Sequence, residues 1–484
     1  MILRKPVLRR RWSRLFAVTC LAGVAGCGSV VSHASDGWAA SPQVSAVAVP
    51  EVAVDATARG VIGDGATLNT SALQAAIDSL SAGGGGVLTF PAGRYVTGTI
   101  QLKDNVRLRL ADQAVLVGSH NAADYRNLDP FTDGSGNKMG YALITAIGAS
   151  HVGIEGTGVI DGQGKAMKAA QKHYTIRPFL IRWEHCTDVT VRDIHLTDPG
   201  AWTMQFFQCR NVVAERVNIR SAASHLTNND GIDIDSSQGV TITDCDIESG
   251  DDAICIKATS PQASSDLTIT GCTLKTRCNG IKLGTESLGD FSHIQASHCR
   301  LHDIGLSGIA LNSVDGAQLH DVTISDVEID GVAVPISVRL GARLKTFRPG
   351  DQPRPVGTIH DITLENIHAI GARQIGLLIN GIPNHPVESL HLKNIDITLA
   401  GGGKAEDASV KLPEKEAAYP EWSMFGKIMP AFGAYLRHVS GVTCDHVTLS
   451  VAHPDARPAV DLVDVQGVQA GDFSVGTPAT GPSP

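Results

Sequence analysis

Aromatic residues make up only 5% of the 484-residue chain, and charged residues only 18%. That balance suits neither a helical bundle, which carries broad charged faces, nor a disordered chain, which relies on net charge and polar bulk. A basic surplus is missing as well. The 40 Lys and Arg stand against 49 Asp and Glu, a formal net charge of −9, which argues against a nucleic-acid partner. A polyanionic ligand would need local positive charge against this background. Beyond residue 27, no apolar run reaches the roughly 20 residues a spanning helix requires. What is plentiful is glycine, 51 residues, set among β-forming segments, which indicates turn-rich β structure around an aliphatic core.

Residues 1–27 read as a targeting segment rather than as part of the fold. Arg4, Lys5, Arg9, Arg10, Arg11 and Arg14 form its positive end, and LFAVTCLAGVAG is an apolar run too short to cross a bilayer. Val24-Ala25-Gly26-Cys27 resembles a bacterial lipobox, in which Cys27 is lipidated and becomes the first mature residue. The alternative is a plain signal peptide cut in the Ser/Ala-rich stretch that follows. The expected location is therefore the periplasm or outer membrane as a lipoprotein, or outside the cell as a secreted protein, with membrane contact through the lipid alone. Residues 28–50 read as a flexible tether, 51–470 as one domain and 471–484 as a disordered tail. The protein is expected to work as a monomer. Apart from Cys20 and Cys27, eight cysteines remain, and in an exported chain a disulfide framework is one expectation.

A repeat assigns most of those cysteines another job. Nine segments share one alternating pattern: DVTVRDIHL, NVVAERVNI, GVTITDCDI, DLTITGCTL, HIQASHCRL, DVTISDVEI, DITLENIHA, SLHLKNIDI and GVTCDHVTL. Their second residues, Val189, Val212, Val240, Leu267, Ile294, Val322, Ile362, Leu390 and Val442, step by 23, 28, 27, 27, 28, 40, 28 and 52 residues. A period near 27, built from β-formers and punctuated by glycine, indicates a solenoid of coils, a parallel β-helix. The two long steps mark coils carrying inserted loops. Five residues further along each segment stand Ile194, Val217, Cys245, Cys272, Cys299, Val327, Ile367, Ile395 and Val447, one apolar stack through the interior. Cys245, Cys272 and Cys299 therefore read as small core residues, with a disulfide between neighbours as the lesser alternative. Near the amino terminus, NTSALQAAIDSLSAGGGG has a Thr/Ser start, helical spacing of Leu73, Ala76, Ile77 and Leu80, and a glycine stop. It predicts a short helix capping the open end of the solenoid, which would otherwise present a bare edge.

In stacked coils, residues one coil apart in sequence lie about 5 Å apart in space. Ile232, Ile254, Ile281 and Ile309 step by 22, 27 and 28 residues, which aligns NDGIDID, DDAICIK, NGIKLG and SGIALN. That register stacks Asp230, Asp252, Asn279 and Ser307 in one column, with Asp233, Cys255, Lys282 and Ala310 in the next. With Ile254 and Ile256 facing inward, a continued strand would bury Asp252 in the core, where an unpaired charge costs several kcal/mol. Gly250, Asp251 and Asp252 must instead form a corner that turns both carboxylates toward a cleft. Three carboxylates, Asp230, Asp251 and Asp252, then crowd one coil step. Repulsion should raise at least one pKa, leaving one group protonated beside ionised partners. Such a set can cleave glycosidic bonds. An Asp ladder closing turns and a calcium site are the two plainer readings.

NNDGIDI followed by SGDDAICIK, together with GVIDGQG, FPAGRYVTGTIQLKDNV and DPGAWTM, resembles glycoside hydrolase family 28, the polygalacturonases and rhamnogalacturonan hydrolases. The resemblance runs from about Val54 to about Val465. It implies a right-handed parallel β-helix that hydrolyses pectic galacturonans with inversion and without a metal or other cofactor. By the same resemblance Asp251 corresponds to the general acid, and Asp230 and Asp252 to the pair that activates water. Inversion rests on the resemblance, because one coil step places carboxylates nearer the spacing of retaining enzymes. The chain also departs from the family. Cys278-Asn279-Gly280 stands where polygalacturonases have Gly-His-Gly, and Ala310-Leu311-Asn312 where they have the Arg-Ile-Lys that grips a substrate carboxylate. Asn279, Lys282 and Lys257 are the candidates to contact substrate in their place, Lys282 or Lys257 supplying the lost charge. For Lys257 the plain alternative is a solvated side chain paired with Asp235. PISVRLGAR (335–343) and YPEWSMFG (419–426) are assigned to the two inserted loops, where Arg339 or Arg343 could hold a uronate carboxylate and Trp422 could stack on a sugar, the alternative for each being packing within its own loop. Two other functions fit the same fold: a calcium-dependent β-eliminase of the pectate-lyase kind, and a non-catalytic polysaccharide-binding surface protein.

Overall fold

The computed structural model describes residues 52–222 and 226–476; the targeting segment, Cys27 and the tether lie outside the described residues. The described chain is all-β with few helices. Its strands form three parallel ladders, and each strand pairs with the equivalent strand of the next coil. In the first ladder Val189 pairs in turn with Val212, Val240, Leu267, Ile294, Val322, Ile362, Leu390 and Val442, the register expected from the repeat. The third ladder carries Ile232, Ile254, Ile281 and Ile309 in one row, again as expected.

The repeat holds because the backbone turns the same way at each corner. In all nine segments the residue before the aligned apolar position has a left-handed φ, from Asp188 at 56° to Gly441 at 75°. A second left-handed residue follows five positions later, such as Asp193, Asp244, Gly271, His298 and Asn366. Asp, Asn, His and Gly tolerate that conformation best, so polar residues punctuate every strand. Between the corners, Ile194, Val217, Cys245, Cys272, Cys299, Val327, Ile367, Ile395 and Val447 are sealed inside one continuous core. The eight cysteines among the described residues are free thiols.

Helix α1 (Thr70–Ala82) buries Leu73, Ala76, Ile77 and Leu80 and packs against the strands of the first coils, including Ile100–Leu102, the first strand of the third ladder. It occupies the place where a further strand would expose an edge.

Several features depart from the repeat. An antiparallel pair, Asn127–Thr132 with Lys138–Ile147, stands up from the third ladder, and a seven-residue helix, α2 (Gly164–Ala170), interrupts an early coil. Pro335 to Leu340 belong to strand Val322–Leu340 rather than to a loop, with Ile336 paired to Ile309. The insert that follows covers 341–357, and the second covers 400–433. The second is pinned by Leu412, Phe425 and Met429, which share a separate core with Val334, Ile375, Leu378 and Tyr435. Strand Phe473–Gly476 pairs with 447–450, so the coils continue past the expected boundary at residue 470.

Candidate active site

The outer face of the third ladder gathers the titratable groups. Asp230 precedes strand Ile232–Asp235, and Asp251 and Asp252 occupy the turn between Asp246–Ser249 and Ile254–Ala258. Gly250 lies so close to Asn229 that a Cβ there would stand 2.4 Å from its Oδ1, which fixes the corner. Asp252 is nearly sealed from solvent, whereas Asp251 is half-buried.

Asp252 is held on both oxygens. Asn279 donates its backbone N–H and its side-chain amide to Oδ1 at 3.1 and 2.7 Å, and Lys282 Nζ lies 3.0 Å from Oδ2. Burial alone would raise its pKa, but Lys282, Lys257 and Asn279 outweigh burial and hold the carboxyl below its usual range. Asp251 accepts the Asn228 N–H at 3.2 Å. Its pKa is raised, by burial first and by the Asp252 charge second, against the pull of both lysines. Asp230 is raised well above its ordinary value, by burial first and then by Asp233 and Asp251. One corner thus combines a carboxyl whose pKa is raised with an adjacent one whose pKa is lowered.

Lys257 is not solvated and does not pair with Asp235. It is 4% exposed, with Nζ 3.5 Å from Asp230, 3.4 Å from Asp233, 3.4 Å from Glu286 and 4.5 Å above the Trp202 ring. Asp235 instead accepts from the backbone and hydroxyl of Thr259 and from Gln205. Lys282 is likewise buried, shared between Asp252 and Glu421, 3.2 Å away. Neither lysine therefore presents an uncompensated charge to a substrate carboxylate.

Asn279 also donates to Glu421 at 3.1 Å and accepts the Ser307 N–H at 3.0 Å. Arg339 turns away from the site. It is 2% exposed and donates to the carbonyls of Gly381, Glu414 and Lys415, bracing the second insert. Arg343 is committed to Asp315 and to the Thr285 carbonyl. Trp422 packs against the separate core of the second insert rather than standing open as a platform.

Sequence reasoning missed Glu421 and Glu286. Glu421 reaches Lys282 across 139 residues of chain from inside an insert, where no period signals it. Glu286 was within reach, since alternation along Ile281–Ser287 puts it on the same face as Lys282. It accepts the Gly134 N–H at 2.7 Å, tying the antiparallel pair to the site, while Lys345 bonds the Gly134 carbonyl from the first insert.

Asp251, Asp252 and Cys278 could offer ligand atoms to a metal, as could Asp230, Asp233 and Cys255. A cation at either place would face a buried ammonium group at close range, Lys282 or Lys257, and that repulsion argues against calcium.

The family profile "Glycosyl hydrolases family 28" matches residues 87–418. A "Probable polygalacturonase" of Vitis vinifera is 28% identical over 380 residues, 71% of this chain and 74% of the relative. An exo-poly-alpha-D-galacturonosidase of Dickeya chrysanthemi is 28% identical over 257 residues, 43% of this chain and less than half, 42%, of the relative. In structure, the family 28 exopolygalacturonase of Yersinia enterocolitica aligns with a TM-score of 0.67 at 18% identity, covering 86% of this chain and 78% of that one, a likeness of fold. The profile spans well over half of the chain, so this protein belongs to glycosyl hydrolases family 28 and is a glycoside hydrolase.

Proposed function

We propose that this protein hydrolyses glycosidic bonds in pectic, galacturonate-containing polysaccharide, with inversion. The observation that carries the reading is the divided corner, where Asp251 is raised and Asp252 lowered within two adjacent residues. Asp251 gives its proton to the leaving oxygen as the bond from C1 breaks. Asp252, whose pKa is lowered, takes the proton of a water as the water oxygen bonds to C1, and Asp230 helps to orient that water. Asn279 occupies the family's histidine position and serves by holding Asp252. The pectic substrate is supported by relatives named as polygalacturonases and galacturonosidases. The stacked coils are read as a right-handed parallel β-helix, the hand that parallel crossovers adopt. The amino-terminal targeting pattern and Cys27 support an exported, lipid-tethered protein.

Digestion of polygalacturonate and of rhamnogalacturonan, with the products followed by NMR, tests this reading. The expected result is new reducing ends in the inverted anomer, no unsaturated uronate and no loss of activity with chelator. Unsaturated products that vanish with chelator would establish a calcium-dependent eliminase instead.

A further inference from the structure

The proposed function requires a subsite that grips a uronate carboxylate. The family's Arg-Ile-Lys is replaced by Ala310-Leu311-Asn312, and the floor of the site sets five carboxylates around Lys257 and Lys282. A substrate carboxylate placed there would meet like charge at low dielectric.

On the other side of Asp251 the balance reverses. A hollow of about 550 Å³ lies against the turns that lead into the third ladder, a size within the range of small-ligand sites. It borders the backbone of the proposed acid: Ser249 and Thr276, both in its wall, donate hydroxyl hydrogen bonds to the Asp251 main-chain carbonyl. Arg277, one residue before Cys278, and Arg373, from a later coil, also line it. Each guanidinium is steadied by a backbone carbonyl, Arg277 by Ala222 at 3.2 Å and Arg373 by Ile304 at 3.0 Å. Lys275 stands between Glu248 and Asp303, at 3.6 and 3.9 Å, so these three carry one net negative charge, which offsets only part of the charge of the two arginines. The two arginines then make the hollow locally positive in a chain of net charge −9.

We propose that this hollow is a sugar subsite in which Arg277 and Arg373 hold a uronate carboxylate next to the bond that Asp251 protonates. The inference rests on the pectic reading above. Guanidinium groups suit it, because their planar fork matches a carboxylate and stays charged at any working pH.

Trigalacturonate and its methyl ester, which has the same rings without the charge, test the proposal. Arg277→Gln, Arg373→Gln and the double variant are compared with wild type by kcat and KM at low and high salt. The expected result for the double variant is a KM for trigalacturonate raised about tenfold at low salt, with kcat little changed. The effect should shrink at high salt and be absent with the ester. An unchanged KM, or an equal rise with both substrates, overturns the subsite while leaving the pectic reading in place. A wild type that neither binds nor cleaves either substrate overturns both.

Discussion

Lys282 Nζ lies 3.0 Å from Asp252 Oδ2 with both side chains sealed from solvent, so the charge state of each depends on the other. Lys282→Met should therefore do two things. It leaves Asp252 and Glu421 without their counter-charge, a loss of about 3–5 kcal/mol in stability for a broken buried pair. It also lets the Asp252 pKa rise, which moves the acidic limb of the pH–rate profile to higher pH, since the proposed base must be ionised. Denaturant unfolding and a pH–rate profile check both effects. An unmoved limb at unchanged stability would mean that Lys282 does not govern Asp252.

Glu286 gives a pH dependence of folding. Burial would raise its pKa, but Lys257, Arg343 and the Gly134 N–H outweigh burial and bring it from an ordinary 4.5 to about 2. A depressed carboxyl stabilises the fold above its unfolded pKa, and that contribution disappears as pH falls through the folded value. The shift corresponds to about 3 kcal/mol at neutral pH. Glu286→Gln should be less stable than wild type by about that much at pH 6, and the gap should close between 4.5 and about 2. Urea unfolding at several pH values measures it; a gap independent of pH contradicts the ion-pair account.

The cysteines stacked along the core should all titrate as thiols. A chain beginning after residue 51, unfolded in denaturant without reductant, should give eight reactive thiols, and its Tm should not change with reductant. Six or fewer would reveal a disulfide and overturn the reading of Cys245, Cys272 and Cys299 as plain core residues.

The sequence carried the coil register because coil stacking is local and periodic. Val189 through Val442 and Ile232 through Ile309 pair as their spacing requires, since each residue only has to meet its equivalent one coil away. The same register brought Asp230, Asp251 and Asp252 together. What it could not show is how the inserts fold back, because their contacts follow no period. Glu421 closes over Lys282, and Arg348 of the first insert reaches Asp129 of the antiparallel pair. The first contact makes Lys282 a buried counter-ion, whereas Lys257 is enclosed by Asp230, Asp233 and Glu286 of the coils themselves. Arg339 was misplaced for a related reason: the 40-residue coil was given its insert too early, and the residue lies on the strand instead. Trp422, in the other insert, had no repeat to place it, and a separate small core claimed it.

In the proposed reaction Asp251 delivers the proton that breaks the glycosidic bond. Its most direct test is the release of reducing ends from a pectic substrate by wild type and by Asp251→Asn, with Tm measured on both. Asparagine keeps the shape of Asp251 and an oxygen to accept the Asn228 N–H, but it has no acid proton to give. The expected result is a loss of about a hundredfold or more at nearly unchanged Tm. An Asp251→Asn protein that cleaves pectic substrate at the wild-type rate would contradict it.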